Sequence, residues 1–332
     1  MSGTTQDMQI WKIYAVKQMG SARRCRTYEG SQPMDINAVS VWVSVTLQVV
    51  TVVLGIGGNS AVIYVAALQI KTKVTNVWLV NLAIADLIFC FTRIFGISYI
   101  LLSDHWPFGV FICKFTGFFK YTNMFCSVFL LAVISLDRAL CVQRPFFIKT
   151  ERTLFVARLV AVCVWALAIV LSIPNFMHRQ IYLGTNNKTK CSIEKDQNAK
   201  FYLFWLRFTC GFLLPFVVIL VCYILTGLGI KRANTRMFRK LRSLKILVIL
   251  VIAFFLCWAP YHCLQLFRMA DRYTEVLKPW QRIISAIGYF NSCVNPILYY
   301  CLGAGLGGCF RHCVNNNSHI TEVQSRQGNE SF

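Results

Sequence analysis

Residues 75–101, TNVWLVNLAIADLIFCFTRIFGISYIL, decide the fold. About 20 predominantly apolar residues carry a helix across the hydrocarbon of a bilayer, and this stretch exceeds that length with few interruptions. Two of the interruptions are ionisable, Asp86 near the middle and Arg93 further along. A charge in hydrocarbon is costly, so residues kept there are functional candidates by default. Working outward, six more apolar runs lie near 41–69, 111–136, 155–177, 203–230, 244–267 and 281–302. Each holds its own polar or helix-breaking exception: Asn59, Asn123, Trp165, Pro215, Pro260 and Asn295. The 332-residue chain is 56% hydrophobic and 14% charged, outside the usual range for a soluble globular protein. The pattern predicts an all-α bundle of seven transmembrane helices over 41–302, with a tail at 1–40 and another at 303–332.

Basic residues set the expected orientation. The links after spans 1, 3 and 5 carry Lys71 and Lys73, then Arg144, Lys149 and Arg152, then Lys231, Arg232, Arg236, Arg239, Lys240, Arg242 and Lys245. By the positive-inside rule the N-terminus is outside and the C-terminus inside. No uninterrupted apolar core follows a basic start in the first 38 residues, so no cleavable signal peptide is expected. The net charge of +21 is largely this topological charge, which argues against nucleic acid as a partner. The longest outer loop is basic as well, with Arg179, Lys188, Lys190 and Lys200, and suits an acidic or carboxylate-bearing partner.

Most of the 15 cysteines sit within spans, where Cys behaves as a small apolar residue. Cys113 and Cys191 differ, because both see the oxidising side, and their pairing would tie the outer loop across the mouth of the bundle. Cys25 is a further outer thiol whose bonding the sequence leaves open. Asn187-Lys188-Thr189 is a glycosylation sequon on the outer side, whereas Asn316-Asn317-Ser318 and Asn329-Glu330-Ser331 fall on the inner side and should be silent.

Read in order, the short motifs resemble the rhodopsin-like (class A) G-protein-coupled receptors from about residue 40 to 313. They are Gly58-Asn59, Leu82-Ala83-Ile84-Ala85-Asp86, Asp137-Arg138, Trp165, Pro215 with Tyr223, Cys257-Trp258-Ala259-Pro260, and Asn295-Pro296-Ile297-Leu298-Tyr299. The resemblance implies that Asp86, Asn123, Ser127, Asn291 and Asn295 form a pocket for an allosteric sodium ion and water that stabilises the resting state. On helices, Asn123 and Ser127 share a face, as do Asn291 and Asn295. A merely structural polar knot is the competing reading.

The resemblance also implies a switch. Pro215, Pro260 and Pro296 each remove a backbone donor and kink a helix. Trp258 lies beneath the ligand, and movement of span 6 opens a cytoplasmic cavity. Asp137 holds Arg138 at rest; release lets Arg138 meet the heterotrimeric G protein, with Tyr223 and Tyr299 in support. The triplet reads Asp137-Arg138-Ala139 where Tyr commonly ends it, a departure shared with chemoattractant receptors.

Further strings resemble that branch, which includes formyl-peptide, complement anaphylatoxin and chemerin-like receptors: His105-Trp106-Pro107-Phe108-Gly109 with Cys113-Lys114-Phe115, Phe125-Cys126-Ser127-Val128-Phe129-Leu130, and Phe290-Asn291-Ser292-Cys293-Val294-Asn295-Pro296. Coupling to inhibitory-class G proteins is implied. Lys120 occupies the place where amine receptors carry Asp, so a cationic amine would be repelled. Span 7 has no Lys for a retinal Schiff base. Arg93, Lys120 and Arg207 are cations in outer halves of spans with no acid in those halves to pair them, and such cations either snorkel or await an anion. Arg207 matches a family position that contacts peptide or carboxylate ligands. Arg93 and Tyr121 do not match formyl-peptide receptors and argue against that specificity. Tyr121, Trp258, Tyr261 and Gln265 complete the expected ligand contacts.

At the C-terminus a short amphipathic segment is expected, weakened by its glycines. Cys309 and Cys313 suit palmitoylation and hence contact with membrane lipid. Ser318, Thr321, Ser325 and Ser331 are candidate phosphorylation sites for arrestin recruitment. The reading is therefore a plasma-membrane receptor for a chemoattractant-type peptide or acidic ligand. Its alternatives are a receptor for an acidic lipid mediator, a non-signalling decoy and, further off, a seven-span transporter. No intramembrane nucleophile–base pair or metal ligand set suggests an enzyme.

Overall fold

Each of the seven apolar runs is a helix in the computed structural model, which describes residues 36–67, 74–144, 148, 150–184, 187–193, 197–232, 238–269 and 274–301. Helices α1 to α4 are Ile36–Ala67, Val74–Leu101, Gly109–Gln143 and Leu154–Met177. A hairpin of β1, Arg179–Leu183, and β2, Thr189–Ile193, comes after α4. Helix α5 runs from Gln197–Phe208 through a π-turn at Thr209–Leu213 into Leu214–Arg232. Helices α6 and α7 are Phe238–Met269 and Thr274–Cys301. Contacts divide the chain between Val39 and Ser40, and the helical bundle is the unit from Ser40 onward. The amphipathic C-terminal segment, Cys309 and Cys313 lie outside the described residues, as does the side chain of Tyr299.

Six of these helices, among the described residues, are long and apolar enough to cross a membrane. The exception is α7. It carries Glu275, Lys278 and Arg282 in its first turns and spends much of its remaining length on interior polar groups, including the buried Asn291, Ser292 and Asn295. Its apolar character is diluted by the polar groups that it brings into the bundle.

Helix α3 is the centre. Met124, Phe125, Cys126, Val128 and Leu130 are all 0% exposed, as expected of a helix that is apolar on every side and surrounded by others. It packs against α2, α4, α5 and α6. Helix α4 shows how lipid and protein faces divide: Ala157, Ala161, Val164, Ala168, Ser172 and Asn175 are buried, whereas Phe155, Leu159, Val162, Val170 and Ile173 are exposed. Small residues at steps of three and four let two helices approach closely in lipid, where bulk hydrophobicity gives them no reason to associate. Trp165 on α4 donates from its indole Nε1 to Asn81 of α2 at 3.0 Å.

Helix α1 is held to α7 by polar and steric contacts. Asn59 donates to the carbonyls of Gly55 and Ser292, both at 2.9 Å. A Cβ on Gly58 would come within 2.8 Å of Pro296, so only glycine allows this approach. The π-turn in α5 precedes Pro215. A proline without N–H breaks the regular ladder, and one wider turn is a common way for a helix to absorb the break.

Candidate functional site

The Cys113–Cys191 bond joins the N-terminal part of α3 to β2, with Cα atoms 5.7 Å apart. Because Ile181 pairs with Cys191 and Arg179 with Ile193, the bond also fixes where β1 lies. Arg179 is thereby laid over Gly117 of α3, where any Cβ would collide with its side chain. Its Nε donates to Cys191 Sγ at 3.1 Å. Burial works to lower the pKa of Arg179. At the tip of the hairpin Asn187 is exposed and adopts φ +55°, a left-handed conformation that asparagine tolerates.

One turn below Gly117 the side chains form an alternating series of cations and rings. Lys120 Nζ stands 5.1 Å from the Tyr121 ring centre, 4.9 Å from that of Tyr261 and 5.1 Å from that of Tyr289. The Arg207 guanidinium sits 4.6 Å over Tyr121 and donates to Asn175 Oδ1 at 3.3 Å. On the other side, Arg93 lies 5.1 Å from Phe89 and 4.6 Å from Tyr289. The Tyr121 and Tyr261 hydroxyls bond each other at 3.1 Å. Cation–π contacts contribute about 0.5–2 kcal/mol each, more where water is excluded. They soften the mutual repulsion of these cations without neutralising it. The ion pairs among the described residues join Asp137 to Arg138 and Arg152, and Asp104 to Arg282; none involves Arg93, Lys120 or Arg207.

Beneath the cations, Trp258 is buried with its ring edge-on to Tyr261, the centres 5.7 Å apart. Gln265, expected as a ligand contact, is only half-buried, one turn from Tyr261. His262, which sequence reading passed over, is 1% exposed among Phe208, Phe212 and Tyr261. Asn175 and Tyr289 were missed as well, and Arg179 was read only as part of a basic outer loop and not placed at the site. Arg179 had the one usable signal, a basic residue separated from Cys191 by a short turn.

At mid-depth Asp86 is 0% exposed and accepts from Asn123 Nδ2 at 2.9 Å and from Asn295 Nδ2 at 2.8 Å. Ser127 donates to Asn123 Oδ1 at 3.3 Å, and the Ser292 hydroxyl lies 3.5 Å from Asn123 Nδ2. The structure thus gathers Asp86, Asn123, Ser127 and Asn295. Asn291 is buried on the same helix, but the hydroxyl at the cluster is that of its neighbour Ser292.

The far end departs from the expected Asp137–Arg138 lock. Asp137 and Arg138 remain 3.6 Å apart, yet Arg152 holds the Asp137 carboxylate with both ends of its guanidinium, at 2.7 and 3.0 Å. Arg138 instead donates to Thr75 Oγ1 at 2.7 Å, and Arg152 reaches the same hydroxyl at 3.2 Å. The two-pronged geometry explains the preference, because a guanidinium fork matches both oxygens of a carboxylate. Tyr223 is half-buried on α5, and Pro260 and Pro296 lie inside α6 and α7.

The family described as "7 transmembrane receptor (rhodopsin family)" matches residues 58–299. The chain belongs to this receptor family. A C3a anaphylatoxin chemotactic receptor of Danio rerio is 36% identical over 286 residues, covering 83% of this chain and 78% of the relative. Chemerin-like receptor 2 of Mus musculus is 35% identical over 282 residues, covering 82% and 79%. C5a anaphylatoxin chemotactic receptor 1 of Danio rerio is 34% identical over 275 residues, covering 80% and 78%. The protein is accordingly a multi-pass plasma-membrane receptor of the chemoattractant branch and not an enzyme. In this rhodopsin-family receptor, the cationic cluster stands at the hairpin end of the bundle and the Asp137–Arg138–Arg152 group at the other.

Proposed function

We propose that this receptor binds the carboxylate of a peptide C-terminus at Arg207 and Lys120, with Tyr121, Tyr261 and Trp258 lining the contact, and signals through inhibitory-class G proteins. The hairpin end, with the N-terminus and a glycan on Asn187, faces outside; arrestin and palmitoyl anchoring at Cys309 and Cys313 act inside. One observation carries the ligand reading: three interior cations, two of them almost fully buried, to which no acid among the described residues is paired. Such charges are costly without an anion, so the bound state gains what the empty state lacks.

The inner switch is read as coupled to that site through Tyr261, Trp258 and the kink at Pro260. A ligand that favours one arrangement of α6 then biases G-protein contact at Arg138. Asp86 with the Ser127 and Ser292 hydroxyls offers an oxygen set that fits a small monovalent cation. Sodium bound there would supply the positive charge this buried carboxylate otherwise lacks and would hold the resting state.

Proteins related to this one are named for C3a, C5a and chemerin, which makes those three the first ligands to try. Arg207→Ala and Lys120→Ala are each compared with the wild type for agonist potency and surface expression. Each variant is expected to lose tenfold or more in potency at normal expression, roughly the 1.5–3 kcal/mol of a charge-assisted hydrogen bond. Unchanged potency in both contradicts the reading. If only acidic lipids activate the wild type, the ligand is a lipid mediator.

A further inference from the structure

The cations are not equivalent, and their arrangement says more about the ligand than that it is anionic. Arg207 and Arg93 each share one tyrosine ring with Lys120, Arg207 that of Tyr121 and Arg93 that of Tyr289. Arg207 is 5% exposed and already spends one nitrogen on Asn175. Arg93 is 7% exposed; its Nε, like that of Arg207, has no hydrogen-bond partner among the described residues. Its guanidinium lies over two rings, an arrangement that satisfies the plane and leaves the Nε–H unanswered. A buried donor without an acceptor costs about 1–3 kcal/mol and more when charged. Gly96 leaves room for this guanidinium, since a Cβ there would press on Arg93 Nη1 at 3.2 Å.

We propose that Arg93 and Lys120, walled by Phe89 and Tyr289, form a second anion subsite distinct from the one at Arg207, and that it takes a carboxylate. The inference rests on the reading of the cationic mouth as a carboxylate site and narrows it. A peptide ligand then presents two acids, its C-terminal carboxylate and a nearby Asp or Glu side chain, with Lys120 shared between them. A free small anion is the competing occupant.

The test uses full-length receptor in lipid nanodiscs, with thermal unfolding followed at fixed sodium and ionic strength in methanesulfonate. Acetate, chloride and the dicarboxylates from succinate to adipate are added, matched for carboxylate concentration. Wild-type receptor should gain more from the dicarboxylate of fitting span than from acetate. Arg93→Met should abolish that excess and keep the acetate shift, while Arg93→Lys retains part of the excess. Without any added anion, Arg93→Met should melt no lower than the wild type, because an uncompensated buried cation has been removed.

A lower melting point in Arg93→Met with the dicarboxylate excess intact overturns the proposal and makes Arg93 a packing residue. An Arg207-dependent acetate shift with no dicarboxylate excess overturns the second subsite alone. No shift with any carboxylate in the wild type overturns the carboxylate reading of the whole mouth. An Arg93-dependent shift that chloride alone reproduces overturns the carboxylate assignment of the subsite. Should Arg93→Met fail to fold, loss of the excess in Arg93→Gln with the acetate shift kept supports the subsite, and retention of the excess there overturns it.

Discussion

Arg152 changes what the Asp137–Arg138 pair means. Asp137 is 10% and Arg152 26% exposed at their side chains, so their two-pronged bond is partly shielded from water. A hydrogen bond to a charged group contributes about 1.5–3 kcal/mol in shielded settings, and less here because of that exposure. With Asp137 already engaged, Arg138 is held chiefly by one bond to Thr75, so its release needs less than a direct ion pair would demand. Arg152→Ala frees Asp137 to pair directly with Arg138, only 3.6 Å away, so basal nucleotide exchange should fall several-fold, with agonist affinity lowered in step because the coupling is reciprocal. Basal exchange at the wild-type level, with normal surface expression, would show that Arg152 does not set how tightly Arg138 is held.

At the scale of elements, the hairpin adds a further cation to the cluster on the bundle. Its register and the Cys113–Cys191 bond bring Arg179 onto α3 at Gly117, close to Lys120 and Tyr121. Gly117→Val should displace Arg179 and with it the hairpin, lowering agonist potency strongly while the bundle still folds. Gly57→Val is the control, because nothing lies within 4 Å of a Cβ placed there. Equal potency in the two variants would show that the hairpin takes no part in binding.

Much of this element-level picture is legible in the sequence, and the limits have a physical cause. Apolar length and depth are local properties, so the seven helices and the mid-depth position of Asp86 can be read from runs of residues. The cysteine pair is legible too, since only two of the cysteines near the spans fall together at the oxidising face. Rotation of one helix about its axis relative to the next is not local. It decides that Ser292 rather than Asn291 brings its side chain to the Asp86 cluster, and that Tyr289 faces both Arg93 and Lys120. The Asp137–Arg152 bond likewise joins residues from separate segments. No spacing pattern within either segment announces it.

Across the whole molecule, a cationic cluster and the Asp137–Arg138–Arg152 group lie at opposite ends of one bundle, with a buried carboxylate knot between them and prolines inside α6 and α7. Neither end is sufficient by itself. Coupling requires that both be tied to the same pair of global arrangements, so a ligand that prefers one arrangement shifts the population at the other end. In a receptor of this family the shift is read by a heterotrimeric G protein. The most direct test is nucleotide exchange on purified inhibitory-class G protein in reconstituted membranes, driven by C3a, C5a or chemerin, for the wild type, Arg207→Ala and Arg138→Ala. Ligand-stimulated exchange is expected in the wild type, exchange only at higher ligand concentration in Arg207→Ala, and no stimulated exchange in Arg138→Ala although it still binds ligand. Stimulated exchange that survives in Arg138→Ala, or none with any of the three ligands in the wild type, would contradict coupling between the cationic cluster and the arginine switch.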